Sequence, residues 1–96
     1  MINLKEAQYL VQAKLDKEID PNSDDYCVIL EEETIEKEWG WVFFYQSKAY
    51  IESGDLGDML AGNAPYIVNK KNGQLYVTGT AYDIEHYINV YEQTLL

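Results

Sequence analysis

Apolar residues recur at helical spacing from the start of the chain. Leu4, Ala7, Val11 and Leu15 share one face, with Leu10 beside them, while Lys5, Gln12 and Asp16 lie elsewhere. The spacing predicts a helix over about residues 3–18. Asn3 followed by Glu6 is a capping-box pattern, in which each side chain satisfies a backbone donor of the other. A run of turn residues at 20–24, with Pro21 in it, ends the helix. The pattern then switches to alternation. It predicts a strand over about 26–33, with Tyr26, Val28 and Leu30 on one side and Cys27 and Ile29 on the other. A second strand is predicted over about 39–46. There Trp39, Trp41, Phe43 and Tyr45 share one face, and Gly40, Val42 and Phe44 the other. A strand apolar on both faces is either central and covered on both sides, or presents an aromatic face to a partner. Residues 50–53 fit an extension of this strand or a short helical turn equally well.

The stretch from Gly54 to Ala81 organises the rest. Gly54, Gly57 and Gly62 punctuate a bend that also carries Asp55 and Asp58, and residues 58–61 have room for one helical turn. Asn63 and Ala64 are extended by the steric effect of Pro65, which sits at the first position of a strand, where a missing N–H costs least. Strands over about 66–70 and 74–80 flank Lys71-Asn72-Gly73. Asn-Gly between two β-branched runs predicts a hairpin with Gly73 left-handed, best in a three-residue loop with a bulge. Asp83 is an N-cap for a last helix whose stripe is Ile84, Tyr87, Ile88, Tyr91 and Leu95, with Glu85 complementing the helix dipole. The expected fold is α+β, in the order α-β-β-β-β-α. Its four-stranded antiparallel sheet carries both helices on one face. Ninety-six residues make one domain, 1–96.

Charge narrows the function classes. Seventeen acids stand against seven lysines, with no arginine, for a formal charge of −10. A nucleic-acid partner needs cationic side chains to replace counterions, so this balance argues against one, and also against an anionic membrane surface. It favours solubility and steering towards a basic partner. Glu31, Glu32, Glu33, Glu36 and Glu38 form the densest acidic patch, read either as a solvated strand connection or as a docking patch. Trp39 begins the strand beside it. Cys27 is the sole cysteine, which rules out an intrachain disulfide. The first residues carry charges where a leader needs an apolar run, and no segment reaches the roughly 18 apolar residues of a span, so the chain reads as cytoplasmic.

Chemistry is sparse. One histidine, His86, and one cysteine, Cys27, cannot close a zinc site. His86 is expected to face solvent and Cys27 to be inert packing, so their pairing as a dyad is not expected. The glycine stretch lacks the phosphate-loop Gly-Lys-Ser/Thr, and Asp55 and Asp58 lack calcium-loop spacing. Neither cofactor, metal nor catalytic residue is expected, and the chain reads as a non-enzyme.

Five blocks carry a resemblance. Trp41-Val42-Phe43-Phe44-Tyr45, Ser53-Gly54-Asp55, Leu60-Ala61-Gly62-Asn63-Ala64-Pro65, Lys71-Asn72-Gly73 and Thr78-Gly79-Thr80-Ala81 resemble the immunity protein 35, or YrhB-like, family. The resemblance runs over about residues 39–92. It implies a small α+β protein of bacterial polymorphic-toxin systems that protects the producing cell by binding a toxin, with one branch described as chaperone-like. It offers no catalytic residues. Gly54, Asp55, Gly62, Asn63, Pro65, Gly73 and Gly79 are read as structural, serving turns and strand crossings. A contact surface is expected in the glutamate run and nearby aromatics: Glu31, Glu32, Glu33, Glu36, Glu38, Trp39 and Tyr45. The partner expected is a toxin domain with a basic surface, bound by a monomer or weak homodimer. The alternative is a chaperone-like or peptide-binding protein using an exposed apolar sheet face.

Overall fold

The structure, a computed structural model, describes residues 1–18, 25–55, 57 and 64–96. The element order is α1 (Leu4–Lys17), β1 (Cys27–Ile29), a 3-10 turn (Glu31–Glu33), β2 (Ile35–Lys37), β3 (Gly40–Phe43), β4 (Tyr45–Ser47), α2 (Lys48–Ser53), β5 (Tyr66–Asn69), β6 (Leu75–Val77) and α3 (Ile84–Gln93). Helix α1 starts on the expected capping box: Asn3 Oδ1 accepts from the Glu6 amide at 2.8 Å, and Glu6 Oε1 accepts from the Asn3 amide at 3.3 Å. Helix α3 starts on Asp83, whose Oδ1 accepts from the His86 amide at 3.2 Å. Residues 50–53, open between strand and helix, belong to α2. Ser47 caps that helix, and left-handed Gly54 ends it with its amide 2.7 Å from the Tyr50 carbonyl.

The α+β class holds, but the arrangement differs from one sheet with two helices. Among the described residues there are three helices and two sheets: a four-stranded antiparallel sheet in the order β2-β3-β5-β6, and a two-stranded sheet of β1 and β4. The predicted strand over 39–46 divides at Phe44. Phe43 pairs with Tyr66, the first residue of β5. Pro65 precedes it and turns its backbone to β6, where its carbonyl accepts from the Thr78 amide. Beyond Phe43 the chain pairs with β1: Phe44 accepts from the Leu30 amide at 2.8 Å, and Tyr45 pairs with Ile29. The predicted strand over 26–33 also stops early. Glu31–Glu33 winds into a 3-10 turn that interrupts the strand without reversing it: β1 and β2 both run antiparallel to the stretch of β3 and β4, and Ile35–Lys37 pairs with β3 as a strand the alternation does not reveal.

The helices lie on opposite faces, not on one. Ala7, Val11 and Leu15 of α1 pack with Trp41, Phe43, Tyr66 and Val68. Ile88 of α3 packs with Val42 and Ile67, which point the other way from the same two strands. β3 and β5 are buried at every position, as strands covered on both sides must be. The open aromatic face considered for residues 39–46 is thus filled by α1, and the central strands have no apolar face left for a peptide.

Gly40 makes the centre of the sheet fit. It has φ 156°, and a Cβ there would run into the Val68 carbonyl of the neighbouring strand. In the β5–β6 hairpin Gly73 is left-handed, φ 68°, as expected. Asn69 and Gln74 close the loop, with the Asn69 amide 3.1 Å from the Gln74 carbonyl. The loop thus holds four residues rather than three. Pro65 stands before β5, and its carbonyl accepts from both the Thr78 amide and the Thr78 hydroxyl. Asp55 Oδ1 accepts from the Gly57 amide at 2.9 Å. A Cβ on Gly79 would meet the Tyr87 hydroxyl, which accepts from the Ala81 and Tyr82 amides. Gly62, Asn63 and the helical turn expected at 58–61 lie outside the described residues.

Candidate functional site

The acidic residues share one border of the molecule. β2 pairs with β3 on one side, so its other side is a sheet edge. Glu31, Glu32 and Glu33 enter that border on the 3-10 turn and are all exposed. Glu36 is exposed on β2 itself, across from Trp41 and therefore on the α1 face. Glu38 is exposed in the two-residue turn between β2 and β3. Lys37, half-buried, is the cation among them. The turn and the edge strand string five carboxylates along one rim. An edge with such charges also resists pairing with another strand.

Trp39 ends this rim, but not on the face that alternation assigns to it. It sits in the turn rather than in the strand, so its parity with Trp41 fails. It packs on the α3 side, half-buried, with its ring 4.8 Å from that of Tyr91. Its Nε1–H donates to Glu92 Oε2 at 3.0 Å. The remaining part of the indole lines a hollow of about 350 Å³ with Met1, Glu38, Asn69, Lys70, Lys71 and Leu95. The two lysines make this end of the rim mixed in charge.

Tyr45 is not on the rim. It is 9% exposed, stacked at 5.4 Å on Tyr66, with its hydroxyl donating to the Ala64 carbonyl at 2.9 Å. Burial, then the neighbouring Tyr66, pushes its phenol up to about 12. It is a core residue and leaves the candidate surface.

A residue outside the sequence-based set takes its place. Tyr9 is 74% exposed and, with Lys5, Gln8, Gln12, Val28, Ile29 and Glu31, lines a cleft of about 490 Å³ between α1 and β1, so a lysine stands at this end of the rim as well. Gln12 Nε2 reaches across this cleft to the Cys27 carbonyl at 2.8 Å. The signal was present: Tyr9 is an aromatic on the water face of an amphipathic helix, off the stripe of Ala7, Val11 and Leu15. Aromatics therefore flank the glutamate rim at both ends, Tyr9 beside Glu31 and Trp39 beside Glu38. Such a surface can attract a cationic protein over distance and anchor it by aromatic burial.

Cys27 and His86 lie on opposite sides of the sheet. Cys27 packs against the α1 core, and burial first, then Asp25, Glu18 and Asp16, pushes its thiol up, away from the nucleophilic thiolate. His86 is exposed on α3 and lies against Tyr82. Among the described residues no group of three His, Cys, Asp or Glu could hold a metal ion, and no helix is long and apolar enough to cross a membrane.

The profile of the family described as immunity protein 35 matches residues 5–89. A protein of Escherichia coli (strain K12) named "Uncharacterized protein YrhB" is 42% identical over 53 residues, which cover 55% of this chain and 56% of that protein. The match thus spans about half the length of either one. No solved structure matches.

Proposed function

The chain belongs to the immunity protein 35 family, and we propose that it protects a producing bacterial cell by binding a cognate toxin in the cytoplasm and neutralising it stoichiometrically. The observation that carries this reading is the exposed rim of Glu31, Glu32, Glu33, Glu36 and Glu38, flanked by Tyr9 and Trp39. The partner is a toxin domain of polymorphic-toxin type with a basic surface. The carboxylates steer its approach and the two aromatics supply short-range affinity. No bond is made or broken in this account, and the separation of Cys27 from His86 supports that. The test is co-expression with the toxic domain encoded beside this gene. Wild type is expected to restore growth, and a Glu32→Lys, Glu33→Lys, Glu36→Lys variant to protect poorly while folding normally. Full protection by that variant would remove the rim from the account.

A further inference from the structure

We propose that β6 is a dimerisation edge, on which a second copy of this chain adds antiparallel and joins two four-stranded sheets into one. The two edges of the sheet differ in kind. β2 carries Glu36 and Lys37. β6 carries Leu75, Tyr76 and Val77, and no charge occurs from Gln74 through Tyr82. Tyr76 is 39% and Val77 52% exposed. Among the described residues no strand pairs with its outer side, and an apolar edge of this sort is a template for strand pairing.

The hydrogen-bond phase fixes which groups are on offer. Gln74 accepts from the Asn69 amide and the Thr78 amide donates to the Pro65 carbonyl, so residues 74, 76 and 78 turn their backbone groups towards β5. Leu75 and Val77 therefore turn theirs outward. A twofold axis beside Tyr76 sets Leu75 against Val77 of the second copy and Val77 against its Leu75. Each pair exchanges two bonds, four in all. The two Tyr76 rings become neighbours on the α3 face, a favourable cross-strand aromatic pair.

Charge selects a second copy as the occupant. The hairpin loop at one end of β6 carries Lys70 and Lys71, and the segment beyond its other end carries Asp83 and Glu85. Antiparallel addition brings the lysine end of each copy to the acidic end of the other. The glutamate rims, on the far edges, end up seven strand spacings apart, roughly 34 Å. That is several Debye lengths at physiological salt, so the overall −10 charge does little to oppose pairing. Both rims stay free.

The test uses the purified chain alone, so it stands or falls independently of any toxin. Sedimentation equilibrium over a concentration series is expected to show a reversible dimer, and exchange of the Leu75 and Val77 amides to slow as the dimer fills. Val77→Pro removes one outward N–H per copy without touching the β5–β6 ladder and is expected to weaken the dimer about ten- to thirtyfold. Val77→Lys, which keeps every backbone donor, should also weaken it, while Glu36→Ala on the other edge should not. A chain that stays monomeric throughout overturns the proposal. So does a dimer that both Val77 variants leave intact.

Discussion

The indole of Trp39 donates to the carboxylate of Glu92, fifty-three residues further on, at 3.0 Å. This bond and the Tyr91 ring hold the end of the glutamate rim against α3. Glu92→Ala removes the acceptor and should cost about 1 kcal/mol in urea unfolding. Glu92→Gln keeps an acceptor oxygen and should stay within about 0.5 kcal/mol of wild type. Equal losses in the two variants would mean that carboxylate charge, rather than the indole bond, matters at that site.

Gly40 should tolerate no side chain. Gly40→Ala must place a Cβ against the Val68 carbonyl at a φ of 156°. β3 and β5 form the centre of the sheet, so the clash cannot be relieved at a free edge. A loss of about 3 kcal/mol or more is expected in thermal or chemical unfolding. Gly54→Ala, with open space around its Cβ, meets only its left-handed φ and should cost about 1 kcal/mol.

Alkaline pH should destabilise the fold through Tyr45. Its phenol sits at about 12 in the folded chain, against an ordinary value near 10. The folded state holds the proton more tightly, so this contribution is intact below pH 10 and is lost as pH rises from 10 through 12. The full loss is on the order of 2–3 kcal/mol. Tyr66 and Cys27, both raised chiefly by burial, act in the same direction. Unfolding free energies measured across this range should fall for wild type and fall less for Tyr45→Phe. Identical slopes would remove Tyr45 as the cause.

The rim should act on rate more than on stability. Its glutamates are exposed, so reversing three of them should change folding stability by less than about 0.5 kcal/mol. Association with a basic partner should slow and lose much of its salt dependence. Stopped-flow mixing at two ionic strengths checks this.

What the sequence made legible was local. The capping box of Asn3 and Glu6, the Asp83 cap, the α1 stripe and the Gly73 loop are each set by residues a few positions apart. What stayed hidden depended on partners distant in the chain. Nothing in the alternation of residues 39–46 signals that pairing with β5 ends at Phe43 and pairing with β1 begins beyond it, because both partners lie well away in the chain. Ile35–Lys37 has one apolar residue, too few for alternation to show a strand, and the two-residue turn after it, Glu38 and Trp39, pairs it with β3. The helices fall on opposite faces because Val42 and Ile67 need cover as much as Trp41 and Val68 do, which the run of apolar residues already implied. At the candidate surface, strand parity put Tyr45 beside Trp39. Tyr45 kept the face of Trp41 and Phe43 and is buried with them in the α1 core, while the turn sent Trp39 to the other face.

The most direct measurement is titration calorimetry of this chain against the proposed partner, a basic toxin domain sought among the products of the neighbouring genes. One toxin domain bound per protomer is expected, with affinity reduced by the Glu32→Lys, Glu33→Lys, Glu36→Lys variant and by Trp39→Ala. Absence of heat and of co-migration with that domain at any ratio would contradict the account.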